Sequence, residues 1–362
     1  MRVSVPNIPQ SLVSTASTPQ IPAAEAIDNL STFLAAGNVT LLTGAGVSVD
    51  SGIRAYRGRD GRYMNPNYKP IFYHELIDET ERGHAFRQRY WLRSYLGYPS
   101  VRDALPNTTH CALSALQYSN IAPRLITQNV DGLHHKALSL VPTNPVQVQE
   151  SILELHGTLH RVRCKHGHLV DRDTFQEWLS TANPQWKEFA EEIERTGTQP
   201  RTNPDGDVAI EHLGVSYNTF VVPDCPSCLR ENRTNNVHKP DLVFFGESIT
   251  DHVRQRSYAD IEKADRILLM GTTLATYSAF RLLKHALELE KPVMMVNVGP
   301  SRADGLKVQK LDISSGTIIR QAVTNALGSR ALEDPVIRKL LSSGISKPPS
   351  LDDDDRYPRA AG

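Results

Sequence analysis

NVTLLTGAGVSVDSGI, residues 38–53, opens as a run of aliphatic and β-branched residues and stops at Gly44-Ala45-Gly46. A short apolar run bounded by glycine is the pattern of a buried strand that turns at its carboxyl end. If a helix follows, the glycines let backbone N–H groups approach a pyrophosphate near the helix N-terminus. A tight structural turn explains the same glycines, and Val49 stands where the dinucleotide fingerprint has its third glycine.

Similar runs recur: RLITQN (124–129), DLVFFG (241–246), RILLMG (266–271) and PVMMVNVG (292–299). They read as buried parallel strands. Helical patterns lie between or beside them. AIDNLSTFLAAG places Ile27, Leu30 and Leu34 on one face with Gly37 as the residue after the cap, and SAFRLLKHALEL does the same with Phe280, Leu283 and Leu287. The alternation implies an open α/β sheet, in which ligands bind beyond the carboxyl ends of the strands. The site should therefore assemble from Gly44-Ala45-Gly46, Gln128-Asn129, Gly271-Thr272-Thr273 and Asn297-Val298-Gly299.

A chain of 362 residues exceeds the size at which one core stops growing, so a large domain, a smaller attached module and tails are expected. With 40% hydrophobic residues the composition is that of a soluble globular protein. A formal net charge of zero argues against a general polyanion binder and makes nucleic acid an unexpected partner. Four cysteines, two of them in Cys225-Pro-Ser-Cys228, fit a reducing compartment and metal binding better than a disulfide scaffold. No apolar run reaches membrane-spanning length, and no signal-peptide core opens the chain.

Residues 1–24 contain no acid, four prolines and one arginine, which makes a flexible leader and a poor mitochondrial presequence. Residues 161–235 break the strand–helix alternation, hold the TQPRTNPDGD piece and read as an inserted small module. Residues 346–362 read as a solvated, disordered tail because they combine proline with an acid run.

Three further stretches carry chemistry. TQNVDGLHHKA (127–137) presents Gln128, Asn129 and Asp131 at a strand end, where amide and carboxylate groups can bind ribose hydroxyls and a carboxamide; a turn with a helix cap explains them as well. LELHGTLHRV places His156 before Gly157, where an imidazole can serve as general base or be an ordinary polar residue. RVRCKHGH (161–168) sets Cys164 two and four residues before His166 and His168.

Together, TGAGVSVDSGI, TQNVDGLH, LHG, Cys-x-x-Cys, KPDLVFFGE, GTTL and NVG stand in the order and approximate spacing of the sirtuin family of NAD-dependent protein deacylases, and the resemblance covers about residues 25–325. RQRYWLRSYLGYPS (87–100) before PNTTHCAL resembles the class II, sirtuin-four type, in a fungal-like variant. That type is typically mitochondrial, so the resemblance implies the mitochondrial matrix, with cytoplasm or nucleus as the alternative.

The resemblance implies a Rossmann-like parallel sheet with helices on both faces (25–160 and 236–345), a small zinc module (161–235) and a helical element over the NAD cleft (58–105). By matching motif, Gly44, Ala45, Gly46 and Ser48 would line the phosphate and ribose pocket, with Asp50, Tyr56 and Arg57 also on the cofactor side. Gln128 and Asn129 would meet the nicotinamide-side ribose, Asp131 would hold the carboxamide, and Gly271, Thr272, Thr273, Asn297, Gly299 and Ser315 would bind the adenosine half. His156 matches the catalytic histidine, with Asn129 beside it.

The implied reaction joins an acyl-lysine oxygen to the ribose carbon of NAD as nicotinamide leaves, then moves the acyl group to ADP-ribose. NAD is consumed as a co-substrate. Acylated protein lysines are the implied partners, and the chain is expected to be a monomer with no membrane partner. Mono-ADP-ribosyl transfer and NAD sensing without turnover are the competing functions.

Two departures stand out. The family's SGIPDFR or SGIPDYR is here Ser51-Gly-Ile-Arg54-Ala55-Tyr56-Arg57, so the nicotinamide loop loses a proline and a carboxylate. Arg54 could pair with a negative acyl chain or be a solvated surface residue. The family binds structural zinc with two Cys-x-x-Cys pairs, yet Gly167 occupies the second cysteine position. A neutral imidazole can replace a thiolate, so Cys164, Cys225 and Cys228 are expected to be completed by His168, with His166 or a metal-free module as alternatives.

Overall fold

The computed structural model describes residues 7–9, 21–57, 61, 70–142, 150–196 and 217–346. Most of the expected leader, the TQPRTNPDGD piece and the tail beyond Ser346 lie outside the described residues.

Strands β1 (Val39–Thr43), β2 (Arg124–Thr127), β3 (Ile152–Glu154), β4 (Gly157–Cys164), β5 (Leu169–Asp171), β6 (His238–Leu242), β7 (Arg266–Met270), β8 (Val293–Val296) and β9 (Gln309–Leu311) form two sheets. The larger is parallel throughout, in the order β3-β2-β1-β7-β8-β9. Every residue of β1 is buried because both sheet faces are covered. Leu41 packs with Leu30, Leu34, Leu113 and Ile318, from helices Ala23–Ala35, Thr108–Tyr118 and Ser315–Leu327. Its neighbour Leu42 packs on the opposite face with Ile261, Leu282 and Leu283, from helices Asp251–Glu262 and Tyr277–Glu288. The period-2 alternation of a strand produces that division. Gly37, at φ +76°, ends the first helix, as its position after the leucine stripe implied.

The strand order reverses at β1, where the chain first builds outward to β2 and β3 and later returns beside β1 as β7. That reversal opens a crevice at the carboxyl ends of β1 and β7.

The second sheet, β5-β4-β6, is antiparallel: β4 begins just before the 161–235 interval and runs into it, β5 lies inside it and β6 follows it. DLVFFG therefore does not supply a parallel strand: β6 ends within it and pairs with β4. Its Leu242 and Phe244 are buried with Trp91, Tyr95, Phe175 and Leu179, so the apolar run reported burial correctly but could not report which sheet supplied it. Helix Glu81–Arg102, capped by the Thr80 hydroxyl, contributes Tyr90, Trp91, Leu92, Tyr95 and Leu96 to this same cluster.

The glycine stretch also departs from expectation. Gly44 is followed by a four-residue 3-10 turn, Ala45–Ser48, and not by a full helix. Gly46 N–H donates sideways to the Gly271 carbonyl at 2.8 Å, so it is not available to run along a helix axis.

Candidate active site and metal centre

The crevice floor is made where two loops touch. A Cβ on Gly44 would lie 2.8 Å from the Thr272 Cβ, and one on Gly46 would lie 2.8 Å from the Gly271 Cα. Gly271 itself has φ +58°, and a Cβ there would meet the Val47 nitrogen at 2.5 Å. Glycine is required at all three positions by backbone proximity. Just beyond, the buried Ser51 hydroxyl has no hydrogen-bond partner among the described residues, an orphaned polar atom in the segment expected to hold a polar ligand.

Ser48 organises the next layer. Its hydroxyl donates to Asp131 Oδ2 at 2.7 Å and accepts from Asn129 Nδ2 at 3.0 Å. Asp131 Oδ1 in turn accepts from Leu133 N at 3.0 Å, at the start of helix Leu133–Leu138. Behind them, His110 Nε2 lies 3.3 Å from Ser48 Oγ, and burial pushes that imidazole down to about 4. Gln128 ties β2 to β7, donating to Thr272 Oγ1 at 2.8 Å and to the Thr43 carbonyl at 3.1 Å.

His156 sits between β3 and β4 with Nδ1 3.2 Å from the Gln128 carbonyl and Nε2 2.7 Å from Ser278 Oγ. Burial lowers its pKa to about 4 against the opposing pull of the Gln128 carbonyl, so the imidazole is neutral at pH 7.

The remaining expected residues are held by contacts of their own. Asn297 Nδ2 donates to the Val298 carbonyl at 3.1 Å, and Gly299 N–H donates to Asp312 Oδ1 at 3.0 Å, which shapes the β8 loop. The Thr273 carbonyl accepts from Arg302 N at 2.9 Å. Ser315 Oγ lies 3.1 Å from Thr109 Oγ1, and the Asp50 carboxylate rests against Gly316 at the start of helix Ser315–Leu327. Ala45 begins the 3-10 turn, and Tyr56 and Arg57 are half-buried at the end of the described loop. His110, His160 and Ser278 also belong to this region but were not singled out from the sequence. His110 lies in the PNTTHCAL stretch, His160 in LELHGTLHRV and Ser278 at the head of SAFRLLKHALEL, but nothing local marks any of the three as a site residue.

The second centre lies at the turn between β4 and β5. Cys164 N–H donates to the His168 carbonyl and Gly167 N–H to the Cys164 carbonyl, both at 2.9 Å, with Gly167 at φ +90°. That tight turn places His168 Nδ1 3.5, 3.7 and 3.4 Å from the sulfurs of Cys164, Cys225 and Cys228, while Cys164 and Cys228 sulfurs are 3.8 Å apart. All four ligand atoms fall within 4.8 Å of one another. A tetrahedral zinc with bonds of about 2.3 Å to sulfur and about 2.0–2.1 Å to nitrogen needs ligand separations of about 3.5–3.8 Å. The donor set fits. His168 Nε2 meets Glu231 Oε1 at 3.1 Å, the outer carboxylate that commonly fixes a ligating imidazole. His166 is exposed and faces Arg233 at 3.4 Å.

Comparison with known proteins gives a consistent picture. The Sir2 family profile matches residues 44–278. An NAD-dependent protein deacylase SIR4 of Batrachochytrium dendrobatidis is 41% identical over 290 residues, covering 79% of this chain and 88% of the relative. An NAD-dependent protein deacetylase 3 of Pseudomonas syringae is 36% identical, covering 80% of this chain and 92% of the relative. A solved Sir2 homologue in complex with ADP-ribose matches the fold with a TM-score of 0.59 at 22% identity, covering 84% of this chain and 98% of that one. Among the described residues no helix is long and apolar enough to cross a membrane.

Proposed function

Because this chain belongs to the Sir2 family, we propose that it is an NAD-dependent protein-lysine deacylase which consumes NAD and transfers an acyl group from a protein lysine to ADP-ribose. The observation that carries the reading is the Ser48–Asn129–Asp131 network and a neutral His156, joined through the Gln128-Asn129 segment beyond the carboxyl end of β2.

Gly44, Ala45, Gly46, Ser48, Asp50, Tyr56 and Arg57 would hold the phosphate and ribose side, Gln128, Asn129 and Asp131 the nicotinamide side, and Gly271, Thr272, Thr273, Asn297, Gly299 and Ser315 the adenosine side. Bound NAD supplies an electrophilic ribose carbon and a departing nicotinamide. Asp131, already accepting from Ser48 and Leu133, is aimed by those two bonds and can receive a carboxamide N–H. Asn129 offers its amide to a ribose hydroxyl. His156 then takes a hydroxyl proton at Nε2, a step for which a neutral imidazole is competent and an imidazolium is not. The Cys164, His168, Cys225 and Cys228 donors would hold one structural zinc that pins β4 to the β6 approach.

Incubation with NAD and a panel of acyl-lysine peptides, read by product mass, tests the proposal. Acyl-ADP-ribose is expected from the wild type and not from His156→Ala. Protein-bound ADP-ribose in its place would assign mono-ADP-ribosyl transfer, and NAD binding without any product would assign a sensor. The resemblance to the sirtuin-four type supports a mitochondrial matrix location, checked by fractionation, and a monomer is expected by light scattering.

A further inference from the structure

Ser278 opens the SAFRLLKHALEL helical pattern but belongs to none of the stretches expected to carry chemistry; it stands at the second position of helix Tyr277–Glu288, and its hydroxyl makes the shorter of the two polar contacts to His156. The arrangement fixes the direction of each proton. A carbonyl only accepts, so Nδ1, 3.2 Å from the Gln128 carbonyl, carries the ring hydrogen. Nε2 is then a bare lone pair, and at 2.7 Å the Ser278 O–H donates to it.

The same helix terminus grips the other side of the relay. Thr276, its N-cap, donates to Gln128 Oε1 at 3.2 Å, and the Gln128 backbone supplies the carbonyl that receives Nδ1–H. The imidazole is thus held at both nitrogens by groups that one helix start brings together. That helix terminus also carries partial positive charge, which disfavours imidazolium in the free protein and reinforces the effect of burial.

An imidazole Nε2 has one in-plane lone pair. Any substrate hydroxyl that gives up a proton to His156 must approach along the line Ser278 now occupies. We propose that Ser278 is the positioning residue of the base: its hydroxyl aims the Nε2 lone pair of His156 into the crevice and yields that line to the ribose hydroxyl. The assignment rests on reading His156 as the general base. In the handover the serine O–H rotates away and the ribose O–H donates in its place. As the ribose oxygen bonds to the acyl carbon, the π pair of that carbon's bond to the lysine nitrogen moves onto the nitrogen, the ribose proton passes to Nε2, and Ser278 neither gains nor loses a proton.

Two measurements on the full chain test this, using Ser278→Ala and the hydroxyl-retaining Ser278→Thr. The first is a pH titration of His156 by nitrogen NMR in the free protein. A hydrogen bond donated to the lone pair stabilises the neutral ring, so Ser278→Ala is expected to raise the His156 midpoint and broaden its tautomer balance, with Ser278→Thr close to wild type. The second compares acyl-ADP-ribose formation with incorporation of labelled nicotinamide into NAD, which needs the glycosidic step but no base. Ser278→Ala is expected to slow the former about tenfold and leave the latter within about twofold. An unchanged His156 titration, or equal slowing of both reactions, overturns the assignment. A wild type that gives no acyl-ADP-ribose from any peptide overturns the deacylase reading instead, and the NMR result then still decides whether Ser278 holds the ring.

Discussion

His160 Nε2 lies 2.9 Å from the Asp131 carbonyl oxygen, joining β4 of the small sheet to the loop that carries the expected carboxamide ligand. Since that carbonyl only accepts, Nε2 is protonated, and Nδ1 is left to accept from the Tyr98 hydroxyl at 3.4 Å. Tyr98 in turn lies under the buried Arg172 guanidinium, 4.3 Å from the ring centre, at the start of helix Arg172–Ala182. The imidazole also fits only because residue 132 is glycine, at φ +71°: a Cβ there would stand 2.6 Å from His160 Nε2.

His160→Ala should therefore loosen the Asp131 loop without touching His156. The expected result is a severalfold rise in KM for NAD with a smaller change in kcat, and a stability loss of about 1 kcal/mol for the lost hydrogen bonds. Initial rates and urea unfolding check it, and a fall in kcat alone would show that the bond does not position the nicotinamide side.

The metal centre makes a sharper contrast. His168→Ala should lower zinc from one per chain toward zero and destabilise the protein by roughly 3–5 kcal/mol, because metal affinity is folding energy here. His166→Ala, two residues away, should retain the metal. Elemental analysis of the purified variants settles the point, and Cys164→Ser with undiminished zinc would remove that sulfur from the ligand set.

At the crevice floor, Gly46→Ala places a methyl group 2.8 Å from the Gly271 Cα, so one loop must move away from the other. Overpacking of this kind costs about 1–3 kcal/mol, and NAD affinity should fall more than stability does if the displaced loop binds NAD as proposed. Calorimetric titration with NAD together with thermal unfolding separates the two effects.

Acid sensitivity follows from buried imidazoles. Burial holds His110 down to about 4, and burial places His134 well below its ordinary value, with His110 adding like-charge repulsion. In the unfolded chain both rings protonate near pH 6.5. Between pH 6.5 and about 4 the unfolded state binds more protons, so stability present above pH 6.5 is lost as the pH falls. For His110 the drop from 6.5 to about 4 corresponds to roughly 3 kcal/mol across that window. Urea midpoints at pH 7.5, 6 and 5 should trace the decline, and His110→Gln should flatten it.

The sequence by itself determined what short-range pattern can carry. Apolar runs ending in glycine or in a polar turn such as Gln128-Asn129 located β1, β2, β7 and β8, since a buried strand must be apolar on both faces and must turn where a ligand or neighbouring backbone comes close. Gln128, Asn129, Asp131 and His156 were legible because each follows a strand end. Tertiary structure alone decided the rest. The run DLVFFG carried no mark of its antiparallel partner, because burial is the same against either sheet. Sequence spacing admitted both His166 and His168; the φ +90° turn at Gly167 and the β4–β5 register pointed one imidazole at three sulfurs and the other at Arg233. Ser278 meets His156 across 122 residues and His160 meets Asp131 across 29, and a contact of that kind exists only once the sheet order has brought distant strand ends to one crevice.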